Sequence, residues 1–434
     1  MENKIKIIGG GLSGLSAGYY LDRKNINYTI FEKESAPGGL CRTESKGGFL
    51  FDYTGHLLHL DDSKTKRLAL SLLNGNIKEL KRNAWIFSSQ VYVPYPFQAH
   101  LNRLPDRVKK ECLLGYLEAY YKKAQNKKVI NNNFGEWINF NFGKGIRKHF
   151  MAPYNKKLWT IDVDNLNTTW LKGYVPNPGL STVLESAFSD KVASLGYNAS
   201  FYYPKQGGIQ SLINEIVKRI KGEIKSDAEV KTIDHNKRTI DVFQDRIKYD
   251  ALISTMPLKY LILNNMKTAP AQITKAAGNL NHNIVLNINI GVNRNISDKH
   301  WIYFPEGKYI FYRAGFASNF STEMAPKGCS AIYTEIALKK RPADSEIKRM
   351  VTRVICDLKK ADILDEKDKI LEILPLILDP AYVIYDSERD ECVGEIQEFL
   401  KKRDIYSIGR YGKWDYSAME DAILDGYNVS LKIK

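Results

Sequence analysis

Lys4-Ile5-Lys6-Ile7-Ile8-Gly9-Gly10-Gly11-Leu12-Ser13-Gly14 is the stretch on which the reading of this chain turns. A short β-prone run, Lys4 to Ile8, meets a glycine cluster, and a helix-like segment follows from Leu15 to Lys24. Tyr28 to Glu32 reads as the next strand and completes a βαβ unit. In that setting the pattern Gly9-x-Gly11-x-x-Gly14 is a dinucleotide fingerprint. Gly9 permits the tight turn, Gly11 lets the backbone approach a pyrophosphate, and Gly14 lets helix and strand pack closely. The helix start around Leu12 and Ser13 offers free N–H groups and a partial positive charge to phosphates. Glu32 ends the second strand eighteen residues after Gly14, the spacing expected of an acid that holds ribose hydroxyls, and Lys33 follows it.

Working outward, 434 residues suffice for two or three domains. Hydrophobic residues at 44% and charged residues at 26% describe an ordinary soluble chain, and no apolar run reaches the length of a membrane span. The N-terminus runs straight into a strand and lacks the layout of a signal peptide. Five scattered cysteines, with no Cys-x-x-Cys pair, argue for reduced thiols in the cytoplasm and against bound metal. The net charge of +15 is spread along the chain. It reads as a solvated basic surface that would also attract anions such as nucleotide-sugars or hold the protein near acidic lipid, and no nucleic-acid motif accompanies it.

The periodicity changes along the chain. Arg107 to Lys127 places Val108, Cys112, Tyr116 and Tyr120 on one helical face, and Phe134 to Trp159 continues with helical character. Glu229 to Ile233 and Arg246 to Ser254 read as strands returning to a buried α/β layer. Asn283 to Val292 alternates, as a half-buried antiparallel strand does. Trp301 to Phe304 and Tyr309 to Arg313 flank a turn at Pro305-Glu306-Gly307-Lys308. Ser330 to Ala337 is a further strand, Ser345 to Leu358 an amphipathic helix, and Ser417 to Ser430 a final helix. The expected fold is α/β. A Rossmann-type dinucleotide-binding domain is expected from residues 1–80, 205–265 and 403–434. A helical domain spans 98–182, and an antiparallel-sheet substrate domain draws on 83–97, 183–204 and 266–402.

Gly38-Gly39-Leu40-Cys41-Arg42-Thr43 resembles the FAD-binding pattern of the amine oxidase and protoporphyrinogen oxidase group, so flavin is preferred to NAD. Gly39 and Leu40 thereby join the cofactor residues. The resemblance also implies that backbone near Val230 holds the adenine, and that Gly409-Arg410 and the helix from Met419 close over phosphates and ring. Further segments resemble UDP-galactopyranose mutases. They are Phe49 to His56, Tyr95-Pro96-Phe97-Gln98, Phe150 to Trp159, Trp301 to Ser321 with Tyr303 and Arg313, and Gly409-Arg410-Tyr411-Gly412 followed by Tyr416. They occur in order over nearly the whole chain.

That family interconverts pyranose and furanose forms of a nucleotide-linked sugar. What the resemblance implies is nucleophilic catalysis by N5 of reduced FAD at the anomeric carbon, with NADH or NADPH as external reductant and no net oxidation. Arg313 would clamp the diphosphate, and Tyr382 and Tyr416 would donate phenolic hydrogen bonds. Tyr95, Phe97 and Trp159 would line the slot for the base, with Gln98 and Asn155 as polar contacts and Tyr303 on the substrate side. His56 would lie near N5 and respond to redox state or carry a proton. One position departs from the family. Tyr174 stands where a second phosphate arginine is usual, so either Lys172 or another cation substitutes, or the substrate differs. An oxidase or desaturase of the protoporphyrinogen oxidase or amine oxidase type is the competing expectation, and a non-catalytic protein that keeps FAD structurally is a third. A homo-oligomer is compatible with the sequence.

Overall fold

The computed structural model describes residues 5–125, 133–171, 173–189 and 199–433. Its organising element is a five-stranded parallel sheet in the order Ile405–Ser407, Ala251–Ser254, Ile5–Ile8, Tyr28–Phe31, Glu223–Lys225. Ile5–Ile8 lies at the centre, in register with Ala251–Ser254 on one side and Tyr28–Phe31 on the other. All four of its residues are buried, as a central parallel strand requires. Strands remote in sequence thus build one sheet, and every crossover leaves its connecting loop at the same carboxyl edge.

Residues 230–248 form their own three-stranded antiparallel sheet, Val230–Asp234, Thr239–Val242 and Asp245–Lys248. The expected single strand from Arg246 to Ser254 is therefore two strands in two sheets. The chain breaks at Tyr249 and Asp250 between an antiparallel and a parallel ladder.

The second layer is a seven-stranded sheet: Ile370–Leu378, Ile284–Val292, Ser330–Leu338, Arg313–Phe316, Trp301–Tyr303, Ala84–Ser88, Val91–Pro94. All nine residues of Ile284–Val292 are buried, which corrects the half-buried expectation. Leu286, Ile288, Ile290 and Val292 pack on one side in a cluster with Val354 and Leu358 of the helix Asp344–Lys360. Asn287 and Asn289 are covered on the other face, where Asn287 Nδ2 donates to the Asp52 carbonyl.

The turn near Pro305 is also wider than its sequence suggests. Tyr303 pairs with Arg313, so residues 304–312 leave the ladder. Lys157 Nζ takes the carbonyls of Phe304, Glu306 and Phe311 instead.

The helical segment packs chiefly on itself and meets the seven-stranded sheet through Ala152–Trp159. Asp106–Gln125 packs against Phe134–Ile146, and the expected extension to Lys127 falls outside the described residues. A π-helical turn, Arg147–Met151, leads into Ala152–Trp159. Among the described residues no helix is long and apolar enough to cross a membrane.

Candidate functional site

The carboxyl edge of the parallel sheet gathers the glycine motifs. Gly9 has φ +98°, a conformation L side chains avoid, and a Cβ there would lie 2.1 Å from Thr255 Oγ1. A Cβ on Gly14 would lie 2.0 Å from the Gly9 carbonyl, so only glycine lets the helix Leu12–Asp22 begin so close to the strand. Gly11 and Gly38 form an isolated bridge, and a Cβ on Gly39 would come within 3.2 Å of the Gly11 Cα. Gly409 meets Ser13 in the same place, with 2.5 Å from a notional Cβ to Oγ. Three segments far apart in sequence therefore converge on one backbone cradle.

The residues present fit a dinucleotide. The helix Leu12–Asp22 has no side-chain cap and no acid in its first turn, so the amides of Leu12 and Ser13 remain available to phosphate. Glu32 is buried and pinned, accepting from Gly10 N at 2.6 Å and Glu34 N at 2.9 Å. Each carboxylate oxygen retains a lone pair for a hydroxyl. Lys33 is exposed, its Nζ 3.6 Å from Glu34 Oε1. Leu40 is half-buried beside Gly39. Met419 starts the last helix, Met419–Ser430, which packs along Leu12–Asp22. Val230 is buried and its carbonyl accepts from Asn265 Nδ2 at 2.8 Å.

Beyond this cradle, toward the seven-stranded sheet, the phenols collect. Tyr95, Tyr154, Tyr303, Tyr382, Tyr411 and Tyr416 are half-buried and pack against one hydrophobic core. Their rings touch in sequence. Tyr95 and Tyr154 both meet Tyr303, at 5.4 and 5.2 Å, while Tyr382 stacks on Tyr416 at 5.9 Å. Tyr174 meets Tyr416 edge-on at 5.3 Å. Lys172 lies outside the described residues.

Three charged or titratable groups reach the same space. Arg313 sits in a row across the sheet, Asn287–Glu335–Arg313–Tyr303, set by the strand register. Its Nε and Nη2 donate to Glu335, at 2.6–3.0 Å. Glu335 is fully buried; burial opposes the charge on Arg313, and Glu335 restores it. Arg410 lies over the rings of Tyr416 and Tyr382 at 5.1 and 5.3 Å. His56 follows Thr54, which takes a left-handed φ of 75°, and its Nδ1 has no hydrogen-bond partner among the described residues. Enclosure, and then the charges of Arg410 and Arg313, push His56 down to about 4, so the ring is neutral near pH 7.

Four residues expected to line the base slot stand differently. Phe97 and Trp159 are fully buried. Phe97 stacks on Phe150, and Trp159 braces Tyr382 and Tyr416 from behind, so neither offers a face to a ligand here. Gln98 and Asn155 are also buried. Gln98 Nε2 donates to the Pro176 carbonyl, and Asn155 joins Met151 O to the Trp159 indole N–H. The helix Ala152–Trp159 turns this polar side inward, toward packing rather than toward the phenol cluster. Tyr154 and Tyr411 lie in segments that carry the family resemblance but have no role assigned there, and Glu335 is not singled out. Glu335 leaves a signal, being a lone acid in the apolar strand Ser330–Leu338.

The fold superposes on a crystal structure of reduced UDP-galactopyranose mutase with a TM-score of 0.92 and 26% identity, covering 99% of this chain and 94% of that one. A protoporphyrinogen oxidase of Dictyostelium discoideum is 23% identical over 71% of each chain. Coproporphyrinogen III oxidase of Staphylococcus aureus (strain NCTC 8325 / PS 47) is 25% identical over 38% of each, so the match spans well under half of that relative. Residues 12–372 match the family of flavin containing amine oxidoreductases, and the chain belongs to that family.

Proposed function

We propose that this flavoprotein interconverts the pyranose and furanose forms of a nucleoside-diphosphate sugar of the UDP-galactose kind, with FAD held reduced. The observation that supports the reading is the cluster of half-buried phenols with Arg313, Arg410 and His56 among them. Gly11, Leu12, Ser13, Glu32, Gly39 and Gly409 would hold the cofactor. When bound in its reduced form, FAD supplies a nucleophilic N5 for the anomeric carbon, so the sugar undergoes no net oxidation.

The chain's own residues meet the remaining demands. A departing diphosphate needs cations and hydroxyl donors, which Arg313, Arg410, Tyr382 and Tyr416 offer. A sugar hydroxyl must lose a proton when the ring closes in its other form, and Nδ1 of neutral His56 can take it. An arriving diphosphate counters the two arginines that depress His56 and so raises its basicity at that moment. Phe97 and Trp159 exclude water from behind the wall. NADH or NADPH as reductant and a cytoplasmic setting complete the reading.

Oxidation of a protoporphyrinogen-type substrate is the second reading, favoured by the porphyrinogen oxidases among the relatives. Charged arginines and clustered phenols suit a phosphorylated ligand better than a largely apolar one. UDP titrated into the FAD-loaded protein separates the two. The mutase reading expects a saturable change in the flavin spectrum, and no change even at millimolar UDP would count decisively against it.

A further inference from the structure

The nucleotide-sugar reading leaves the charge of the helical segment unused. Residues 98–182 contain fourteen lysines and arginines and six acids, so a fifth of the chain holds more than half of its net charge of +15. Within this segment the helix Asp106–Gln125 is packed on two of its sides. Cys112, Gly115 and Ala119 are buried, and a Cβ on Gly115 would come within 2.8 Å of Gly145 N in the neighbouring helix. On the next side the Tyr116 hydroxyl donates to the Pro178 carbonyl at 3.1 Å.

The third side is apolar and open. Leu114, Leu117 and Tyr121, at i, i+3 and i+7, are 51, 39 and 65% exposed. Arg107 and Lys110 continue the same row toward the helix start, and Lys122 follows Tyr121; all three are exposed. Glu111 is held by Arg107, Lys148 and His149, at 3.3, 2.6 and 2.8 Å, and Asp106 lies 3.3 Å from Lys109, while Glu118 is exposed at the flank. Phe188, 83% exposed, follows the short helix Leu180–Glu185, which packs on Asp106–Gln125. Exposed leucines and aromatics set among cations are the composition of a helix that lies in a membrane interface. A second copy of the chain would set this basic face against itself, whereas anionic lipid supplies the opposite charge and an apolar layer for the row.

We propose that the protein docks reversibly on an anionic lipid surface through this face. Leu114, Leu117 and Tyr121 enter the boundary between headgroups and acyl chains, and the flanking cations lie on the headgroups. Neither part suffices alone: a few apolar side chains bind a bilayer weakly, a modest excess of charge does the same, and attachment takes both. None of these residues belongs to the glycine cradle or to the phenol cluster, so the docking face is independent of the reaction at the site.

The test is co-sedimentation of the whole chain, loaded with FAD, with vesicles of phosphatidylcholine alone and of an equal mixture with phosphatidylglycerol. The parent protein pellets with the mixed vesicles and stays in solution with the neutral ones, and high salt releases it. Leu114→Ser/Leu117→Ser/Tyr121→Ser, with flavin content and melting temperature kept, weakens binding to the mixed vesicles about tenfold or more. Arg107→Gln/Lys110→Gln/Lys122→Gln weakens it to a similar degree, and this variant decides alone if the serine variant fails to fold. A parent protein that ignores the mixed vesicles, or binds the neutral ones equally, overturns the proposal, as does either folded variant that binds like the parent. Sedimentation velocity covers the other occupant: a parent dimer that the serine variant splits, with no vesicle binding, assigns the face to a second copy and overturns the lipid reading.

Discussion

The two ends of the site are built by different means. At the carboxyl edge of the parallel sheet the binding surface is backbone. A Cβ would collide at Gly9, Gly14 and Gly409 and be tight at Gly39, whose φ is +57°, and the groups available to a ligand are main-chain amides. At the seven-stranded sheet the surface is side chain. Its phenols, His56, Arg313 and Arg410 arrive from six separated segments and are held by one another. A backbone site has local requirements and tolerates little change at any one residue. A side-chain site spreads its requirements, so single losses are smaller and more selective.

Gly14→Val gives the largest expected effect. A Cβ 2.0 Å from the Gly9 carbonyl cannot be accommodated without moving strand from helix, so the purified variant emerges colourless and fails to take up added FAD. A yellow Gly14→Val protein would break the contrast at once. Arg313→Met comes next. It leaves Glu335 buried with no partner, and urea unfolding shows a loss of about 3–5 kcal/mol. If stability is unchanged, the Arg313–Glu335 pair is not what secures the wall.

Acid should act through three enclosed histidines, of which His56 lies at the site and His59 and His300 pack around Phe201. Burial is the main cause that lowers His56, His59 and His300 to about 4. Between pH 4 and 6.5 the unfolded chain binds protons that the folded one refuses, so stability rises with pH across this window and is lost as pH falls. The melting temperature at pH 5 is expected to lie about 5 °C or more below that at pH 7. A flat profile would show that these rings are better solvated than their packing implies.

The smallest effects sharpen the distinction between wall and support. Tyr416→Phe removes one phenolic hydrogen bond and lowers turnover about fivefold, with the melting temperature unchanged. Phe97→Leu shows the reverse, about 1–3 kcal/mol of stability lost and UDP affinity kept, because Phe97 is sealed behind the wall. Equal losses of UDP affinity in both variants would erase the distinction.

The same contrast explains what could be read from sequence. The βαβ unit and its glycines were legible because steric demands on backbone leave residue-type signatures at fixed spacing. Gly409 and Arg410 needed the family resemblance, since nothing local ties residue 409 to residue 13. Which aromatic rings join the half-buried cluster was not legible. Tyr95 and Phe97 are two residues apart, yet one belongs to the cluster and the other is sealed in the core. The helical layer decides this, through the Phe150 and Trp159 packing that the sequence pattern does not display. The alternation of Ile284–Val292 likewise predicted a wet face, and the layer built on Asp52 covers it.

On the proposed reading, the phenol and arginine cluster serves a change of ring size without net oxidation. The most direct measurement of this is anaerobic incubation of the dithionite-reduced protein with UDP-galactofuranose and related nucleotide-sugars, followed by chromatography. Conversion to the pyranose form, with the flavin spectrum still reduced at the end, is the predicted result. An inert nucleotide-sugar panel, together with oxygen uptake and peroxide formation when a porphyrinogen is supplied in air, would contradict it.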